Sequence, residues 1–458
     1  MANAPKVWPA RERIPDIQPG DIVTHCDVQF QWTSQHLKPV DLEPLQYRGD
    51  DLADATVREL GVKLGEDALR RMEDWLEAKR GTKDSPTYKL HRELITIPSW
   101  VDWDQIERGQ RVFWQYSAPM LMGLLHFSLA GGFASPQVTQ ILAQTGYLSH
   151  PRTVYRRLIE TAKFVLDCME TEGMKPVSGI GWRSTVRVRL LHAQVRVRLL
   201  KNAESNINVT PEIIPINQEE NVATLLAFSS GLLQGLRGMG IELSPQDKCD
   251  FIAVWRYVGY LVGVDPELDP LYSPTTADIW LHSIAVHMMD PSPLGIKFAH
   301  GILEAAAGKP PFYFSVAFHK AQARRMLGNS LSDALDLPQT SRFHRLFLSA
   351  FFVYIRLVAK CSSLSLIRTL QFRWLRWYFH RVFSRELHRG SKGHFDFRLQ
   401  IAPGEVIKGE LLLPKHSTSL LQYGRRRLVL TLLLSLFTLF SMRSVRNVFD
   451  LTALYIRF

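Results

Sequence analysis

The chain has 458 residues, 46% hydrophobic and 22% charged, with a formal net charge of +11. That balance excludes a disordered or low-complexity chain and leaves enough apolar mass to enclose a cofactor. The four cysteines, Cys26, Cys168, Cys249 and Cys361, form no CxxC pair, which excludes a zinc ribbon, an iron–sulfur cluster or a disulfide scaffold and suits a reducing compartment.

Met1 to Ile14 is polar and punctuated by proline, without the apolar run of a signal peptide, so an intracellular protein is expected. An amphipathic helix is predicted over Asp51 to Lys79, with Gly81 as its stop. Ser99-Trp100-Val101-Asp102 opens the next helical region, from Trp103 into Pro119. Met120 to Phe133 is nearly all apolar, carries His126 and ends in Gly131-Gly132. Ser135-Pro136 begins a helix through Gln144, and another runs from Arg152 to Glu172.

A loop over Gly179 to Arg183 leads into a helix from about Ser184 to Asn202. Val186-Arg187-Val188-Arg189 and Val195-Arg196-Val197-Arg198 alternate as a strand would, but Leu190-Leu191-His192-Ala193 breaks the alternation, and the run is long for a strand. Asn217 with Glu220 three residues on makes a capping box for a helix over Val222 to Gly238. Ser244-Pro245 starts another through Gly263, and Asp278 to Met289 and Pro310 to Leu327 are further helices. Only Phe395 to Leu413 reads as a short β excursion, so the expected fold class is all-α.

From Arg342 onward, basic residues alternate with Phe, Trp and Leu. Solvated helix faces and contact with an acidic membrane surface both account for this pattern; nucleic acid is not expected, because no recognised module is present. Leu428 to Met442 is an apolar run between Arg425-Arg426-Arg427 and Arg443. At roughly 22 Å it falls short of the ~30 Å hydrocarbon core, which leaves a buried helix, an interfacial helix or a tail anchor open.

On a helix, Arg189, His192 and Arg196 line one face, as do Arg157 and Thr161. One imidazole between two guanidiniums, with a second polar pair opposite, suits an iron porphyrin: the histidine ligates iron and the arginines meet the propionates. The competing reading is a packed histidine, a solvated Arg156-Arg157 face and a back-bonded Thr161. The chain has no HExxH, GxSxG, P-loop or paired Glu-x-x-His motif, and His282 and His287 are spaced as structural residues.

The ordered set Tyr47-Arg-Gly-Asp50-Asp-Leu-Ala-Asp54, Thr145-Gly-Tyr-Leu148, Arg157-Leu-Ile-Glu-Thr161, Arg189-Leu-Leu-His-Ala-Gln-Val-Arg196, Pro215-Ile-Asn217-Gln and Trp255-Arg-Tyr-Val-Gly259-Tyr-Leu-Val-Gly263 resembles the rubber oxygenase (latex clearing protein) and mycophenolate-pathway ER-bound oxygenase catalytic-domain family. The resemblance covers residues 45–337, flanked by an N-terminal extension (1–44) and a basic helical C-terminal region (338–458) that is expected to associate with a membrane, such as that of the ER. It implies a globin-like helical core holding haem b non-covalently, with His192 as proximal metal ligand and Arg189 and Arg196 beside it. Arg157 and Thr161 would support the haem from the distal helix.

Relatives of this kind use dioxygen to cleave a carbon–carbon double bond in polyisoprene or a prenyl side chain. Rubber-cleaving members carry a lysine immediately before the distal threonine, where this chain has Glu160, and a glutamate upstream, where it reads Val138-Thr-Gln-Ile-Leu142. Glu160 therefore stands either as a substitute acid or as a solvent-facing residue. The expectation is a haem-dependent oxidoreductase acting with O₂ on an apolar, alkene-bearing isoprenoid substrate. Thr161 and Glu160 are its catalytic candidates, and Met120–Phe133 and Val222–Leu236 its pocket lining. A haem-binding or membrane-docking helical protein without oxygenase activity is the alternative.

Overall fold

A two-stranded antiparallel hairpin, β1 (Ile22–His25) and β2 (Val28–Gln31), opens the computed structural model, and the regular structure that follows it is helical. The structure describes residues 17–25, 27–78, 83–145, 151–204, 213–362 and 365–388. Phe395–Leu413 and Leu428–Met442 lie outside the described residues, as does Gly146–Leu148. Among the described residues the fold is all-α apart from the hairpin, whose short strands were not anticipated.

A single turn, α1 (Pro39–Leu42), leads to α2 (Asp51–Leu60), where the Asp50 side chain accepts from Ala53 N as the N-cap. One helix was expected over Asp51–Lys79, but Gly61 adopts a left-handed φ of 61° and ends α2; Asp67 then caps a separate α3 (Ala68–Glu77). After α4 (Pro86–Ile95), Asp102 caps α5 (Trp103–Gln115). The apolar stretch after it is α6 (Ser117–Gly123), a π-helical segment (Leu124–Leu129) and the short α7 (Ala130–Gly132). Ser135 caps α8 (Pro136–Gln144) as expected.

Next come α9 (Pro151–Cys168) and α10 (Ile180–Glu204), so the alternating arginines lie on a helix and not a strand. The helix expected over Val222–Gly238 is two, α11 (Gln218–Phe228) and α12 (Ser230–Gly238), broken at Ser229 where φ/ψ is −110°/−90°. The rest are α13 (Pro245–Val262), α14 (Pro274–Met288), the unanticipated α15 (Pro293–Ala306), α16 (Val316–Ala334), α17 (Arg342–Cys361) and α18 (Ser365–His388).

Helix α10 packs on four others, α9, α2, α3 and α13. It buries Val186, Leu190 and Ala193 in the main hydrophobic core. Beside it α13 lies very close to α5, because Gly109 carries no side chain: a Cβ there would sit 2.1 Å from the Asp250 carbonyl oxygen. A second close crossing brings Gly235 of α12 onto Gly123 of α6, so the two stretches expected to line a pocket pack on each other. Among the described residues no single helix is long and apolar enough to cross a membrane.

Candidate functional site

His192 sits midway along α10, between Arg189 and Arg196. Its Nδ1 is buried and has no hydrogen-bond partner among the described residues, while Asn221 of α11 reaches the imidazole ring with its side chain. Burial lowers the His192 pKa to about 4; the positive charges of Arg196 and Arg157 push the same way, and Asp50 opposes them. The ring is therefore neutral near pH 7, the form in which an imidazole nitrogen ligates a metal. Helix α9, which carries Arg157, packs directly on α10.

The two flanking arginines are occupied by the protein's own carboxylates. Arg189 donates from Nε and Nη2 to Asp50 Oδ2 and Oδ1 at 2.7 and 3.2 Å, and from Nη1 to Glu93 Oε1 at 2.7 Å. Arg196 donates from Nε to both Asp54 oxygens at 2.9 and 2.8 Å, from Nη2 to Asp54 Oδ1 at 2.6 Å, and from Nη1 to the Ile216 carbonyl at 2.8 Å. This differs from the expected contact with haem propionates, and the reason is burial: a guanidinium removed from water needs its charge and its donors satisfied, and α2 and α4 supply the carboxylates. Burial alone would raise the Asp50 carboxyl, but the Arg189 charge and hydrogen bonds hold it below its ordinary value.

The other stretches that carry the family resemblance close around these pairs. Gln218 donates from Nε2 to the carbonyls of Gly49 and Gly263 at 2.9 and 3.0 Å, and its Oε1 accepts from Asp265 N at 3.0 Å. Arg48 pairs with Asp265. Gly263 adopts φ +89°, and a Cβ there would lie 2.4 Å from Asp50 Oδ2 and 2.8 Å from Arg189 Nε. Glycine is required on both counts. Asn217 and Glu220 form the expected capping box. Burial raises the Glu220 carboxyl to about 7 against hydrogen bonds from the Asn217 and Ile216 backbone, and its Oε1 has no partner among the described residues.

His287, read as structural, is a buried partner of Glu219: Nδ1 and Oε1 lie 2.5 Å apart, and Gln46 Nε2 donates to the other Glu219 oxygen at 2.7 Å. His282 stacks on Phe30 at 4.1 Å between ring centroids. On α9, Glu160 does not face solvent. It is buried, accepting from Arg156 Nε at 2.9 Å and Arg157 Nη1 at 2.6 Å. Thr161 is half-buried one turn beyond Arg157, and α8 offers no carboxylate.

His192, Arg157 and Thr161 are thus positioned by adjacent helices, with Glu160 bound to Arg157. The sequence gives no functional role to Asp50, Asp54, Glu93, Gln218 or Asn221, although Asp50, Asp54 and Gln218 stand in the stretches that carry the resemblance. The signal for the first two was present: a pair of aspartates one helical turn apart, matched in charge to Arg189 and Arg196. Glu93 and Asn221 carried none. A haem would be held through His192, whose neutral, buried imidazole keeps a nitrogen with no partner among the described residues. It does not find propionate partners in Arg189 and Arg196.

Residues 110–359 match the family described as "ER-bound oxygenase mpaB/B'/Rubber oxygenase, catalytic domain". Asp50 and Asp54, which anchor the two arginines, precede that segment. A rubber oxygenase from Streptomyces sp. (strain K30) is 22% identical over 263 residues, 56% of this chain and 61% of that protein, so the chain spans about three-fifths of the length of this relative. The structure of latex clearing protein LCP in the closed state superposes with a TM-score of 0.55 over 73% of this chain and 91% of that one, at 18% identity. That similarity concerns the fold.

Proposed function

Because the chain belongs to the ER-bound oxygenase mpaB/B'/rubber oxygenase catalytic-domain family, we propose that it is a haem b-dependent oxygenase that uses O₂ to cleave a carbon–carbon double bond in an apolar isoprenoid or prenylated substrate. The observation that carries the reading is His192, a buried and neutral imidazole whose Nδ1 has no partner among the described residues. Haem b held by His192 would supply an iron centre for redox chemistry with dioxygen. The protein's own contribution is orientation and exclusion of water. Asn221 fixes the plane of the His192 ring, as a polar neighbour of a ligating histidine does. The Asp50–Arg189 and Asp54–Arg196 pairs lock α10 in place on either side of it.

On α9, Thr161 offers a hydroxyl that can donate or accept a hydrogen bond at the site. Glu160, whose oxygens are taken by Arg156 and Arg157, positions Arg157 instead of acting as a free acid.

The purified protein is expected to show a Soret band at about one haem per chain, and His192→Ala should remove it or weaken it strongly. A variant that keeps full haem with an unchanged spectrum overturns the axial assignment. A second reading, a haem-binding protein without oxygenase activity, is favoured by one observation: no carboxylate stands on α8, and the one before Thr161 is already paired. Oxygen consumption with a panel of prenylated and polyisoprenoid substrates separates the two, and its absence across the panel selects the second.

A further inference from the structure

The last two described helices carry a surface that the catalytic reading does not use. Helix α17 packs on α16, with Phe347 and Phe351 against Phe318, and buries Leu348, Phe352 and Ile355. Its outer side holds Phe343 and Leu346, 70% and 74% exposed, followed by Val353 and Leu357. Their spacings of three, seven and four residues keep them on one side and make one apolar stripe along the helix. Arg342, Arg345, Arg356 and Lys360 are exposed alongside it.

Helix α18 repeats the arrangement. It buries Leu375, Phe379, Phe383 and Leu387, packs on α9 and α5, and exposes Leu370, Trp374 and Trp377 among arginines. Ser362 Oγ donates to Gln371 Oε1 at 2.6 Å, tying the end of α17 to α18. Arg376 and His380 pair with Glu170 and tie α18 to α9.

The charge is one-sided. Residues 342–388 contain nine lysines and arginines (Arg342, Arg345, Arg356, Lys360, Arg368, Arg373, Arg376, Arg381, Arg385) and one acidic residue, Glu386. Large apolar side chains rarely stand exposed in a row unless something covers them. A second copy of this surface would bring two cationic faces together, which Coulomb repulsion opposes. An anionic partner with an apolar interior satisfies both halves of the pattern.

We propose that the α17–α18 surface docks on an anionic lipid bilayer. The Phe, Leu, Val and Trp side chains enter the interfacial layer, and the arginines and Lys360 meet headgroup phosphates while their stems lie along the apolar surface. The proposal is independent of haem or of any reaction at His192, so it stands or falls separately from the oxygenase reading.

The test is flotation of the full-length protein with phosphatidylcholine vesicles that contain or lack phosphatidylserine. The protein should float with the phosphatidylserine vesicles and much less with the neutral ones, and the bound fraction should fall as salt shortens the Debye length. Phe343→Asp/Leu346→Asp/Leu357→Asp should lower partitioning by about tenfold or more, since it removes buried apolar area and adds repulsion. These positions are exposed, so the far-UV spectrum and melting temperature should hold. Trp374→Ser/Trp377→Ser gives an independent second variant if they do not.

Failure of the wild type to float, or unchanged flotation of both variants, overturns the proposal; the latter result would assign binding to another segment such as Leu428–Met442. A wild type that is oligomeric in solution and becomes monomeric on the same substitutions also overturns it, in favour of a second copy.

Discussion

Arg196 grips Asp54 through Nε and Nη2 at 2.6–2.9 Å, with the two side chains 1% and 6% exposed, and so joins the His192 helix to α2. Both charges have left water, and each is tolerable only because the other is there. Removing one strands its partner, and Arg196→Met or Asp54→Leu alone is expected to cost about 3–5 kcal/mol in denaturant unfolding. The double variant leaves no orphaned charge and should recover most of that loss. Strictly additive losses would mean that Arg196 draws its stabilisation from elsewhere.

Gly263 tests how tightly the frame is drawn. At φ +89° with Asp50 Oδ2 2.4 Å from where a Cβ would stand, Gly263→Ala imposes an unfavourable backbone conformation and pushes the carboxylate away from Arg189. A loss of at least about 2 kcal/mol is expected. Gly61 is the control: its φ is +61° but nothing lies within 4 Å of its Cβ position, so Gly61→Ala should cost only about 1 kcal/mol. Equal losses in the two variants would deny the contact at Gly263 any role.

The helices were legible where capping chemistry and period agreed. Asp102, Ser135, Asn217 and Ser244 all cap the helices assigned to them. Legibility failed at breaks that depend on a single backbone angle. Gly61 can continue a helix or end it, and Ser229 carries no breaker signal, so the sequence predicts one helix where the structure has α2 and α3, and one where it has α11 and α12. In the site, the identity and helical face of His192, Arg189 and Arg196 were visible, but the partners of the arginines were not. Residues 50 and 189 are far apart in sequence, and only burial shows that each guanidinium must already be neutralised. Glu160 was ambiguous for the same reason: the spacing allows Arg156 and Arg157 to reach it but does not say which way the helix turns.

Glu220 makes stability depend on pH in a direction opposite to a salt-bridged carboxylate. Burial raises its pKa from 4.5 to about 7 in the folded protein. Between those values the folded chain holds a proton that the unfolded chain has released, so this group's contribution is fully present below pH 4.5 and is lost as pH rises through about 7. The loss is on the order of 3 kcal/mol. Glu220→Gln keeps an acceptor for the Asn217 N–H and cannot ionise. Its stability relative to the parent should therefore improve from pH 5 to pH 8 in urea titrations. A constant difference across that range would place the raised pKa elsewhere.

Restoring the lysine of rubber-cleaving relatives by Glu160→Lys should not simply recreate their site. Glu160 is 5% exposed and lies 2.9 Å from Arg156 Nε and 2.6 Å from Arg157 Nη1. Lysine there removes the carboxylate that joins the two guanidiniums and adds a third cation in a place poor in water. Destabilisation of about 3 kcal/mol or more is expected at pH 7. Burial and like charges also depress the new ammonium's pKa, so in the folded state it loses its proton before it does in the unfolded chain. Stability relative to the parent should accordingly rise as pH increases from 7 toward 9. Adding Arg156→Gln should relieve part of the loss by removing one of the two opposing charges. A Glu160→Lys variant as stable as the parent at pH 7, with no pH dependence of the difference, would show that the Arg156–Glu160–Arg157 clamp does not hold α9 in its present form.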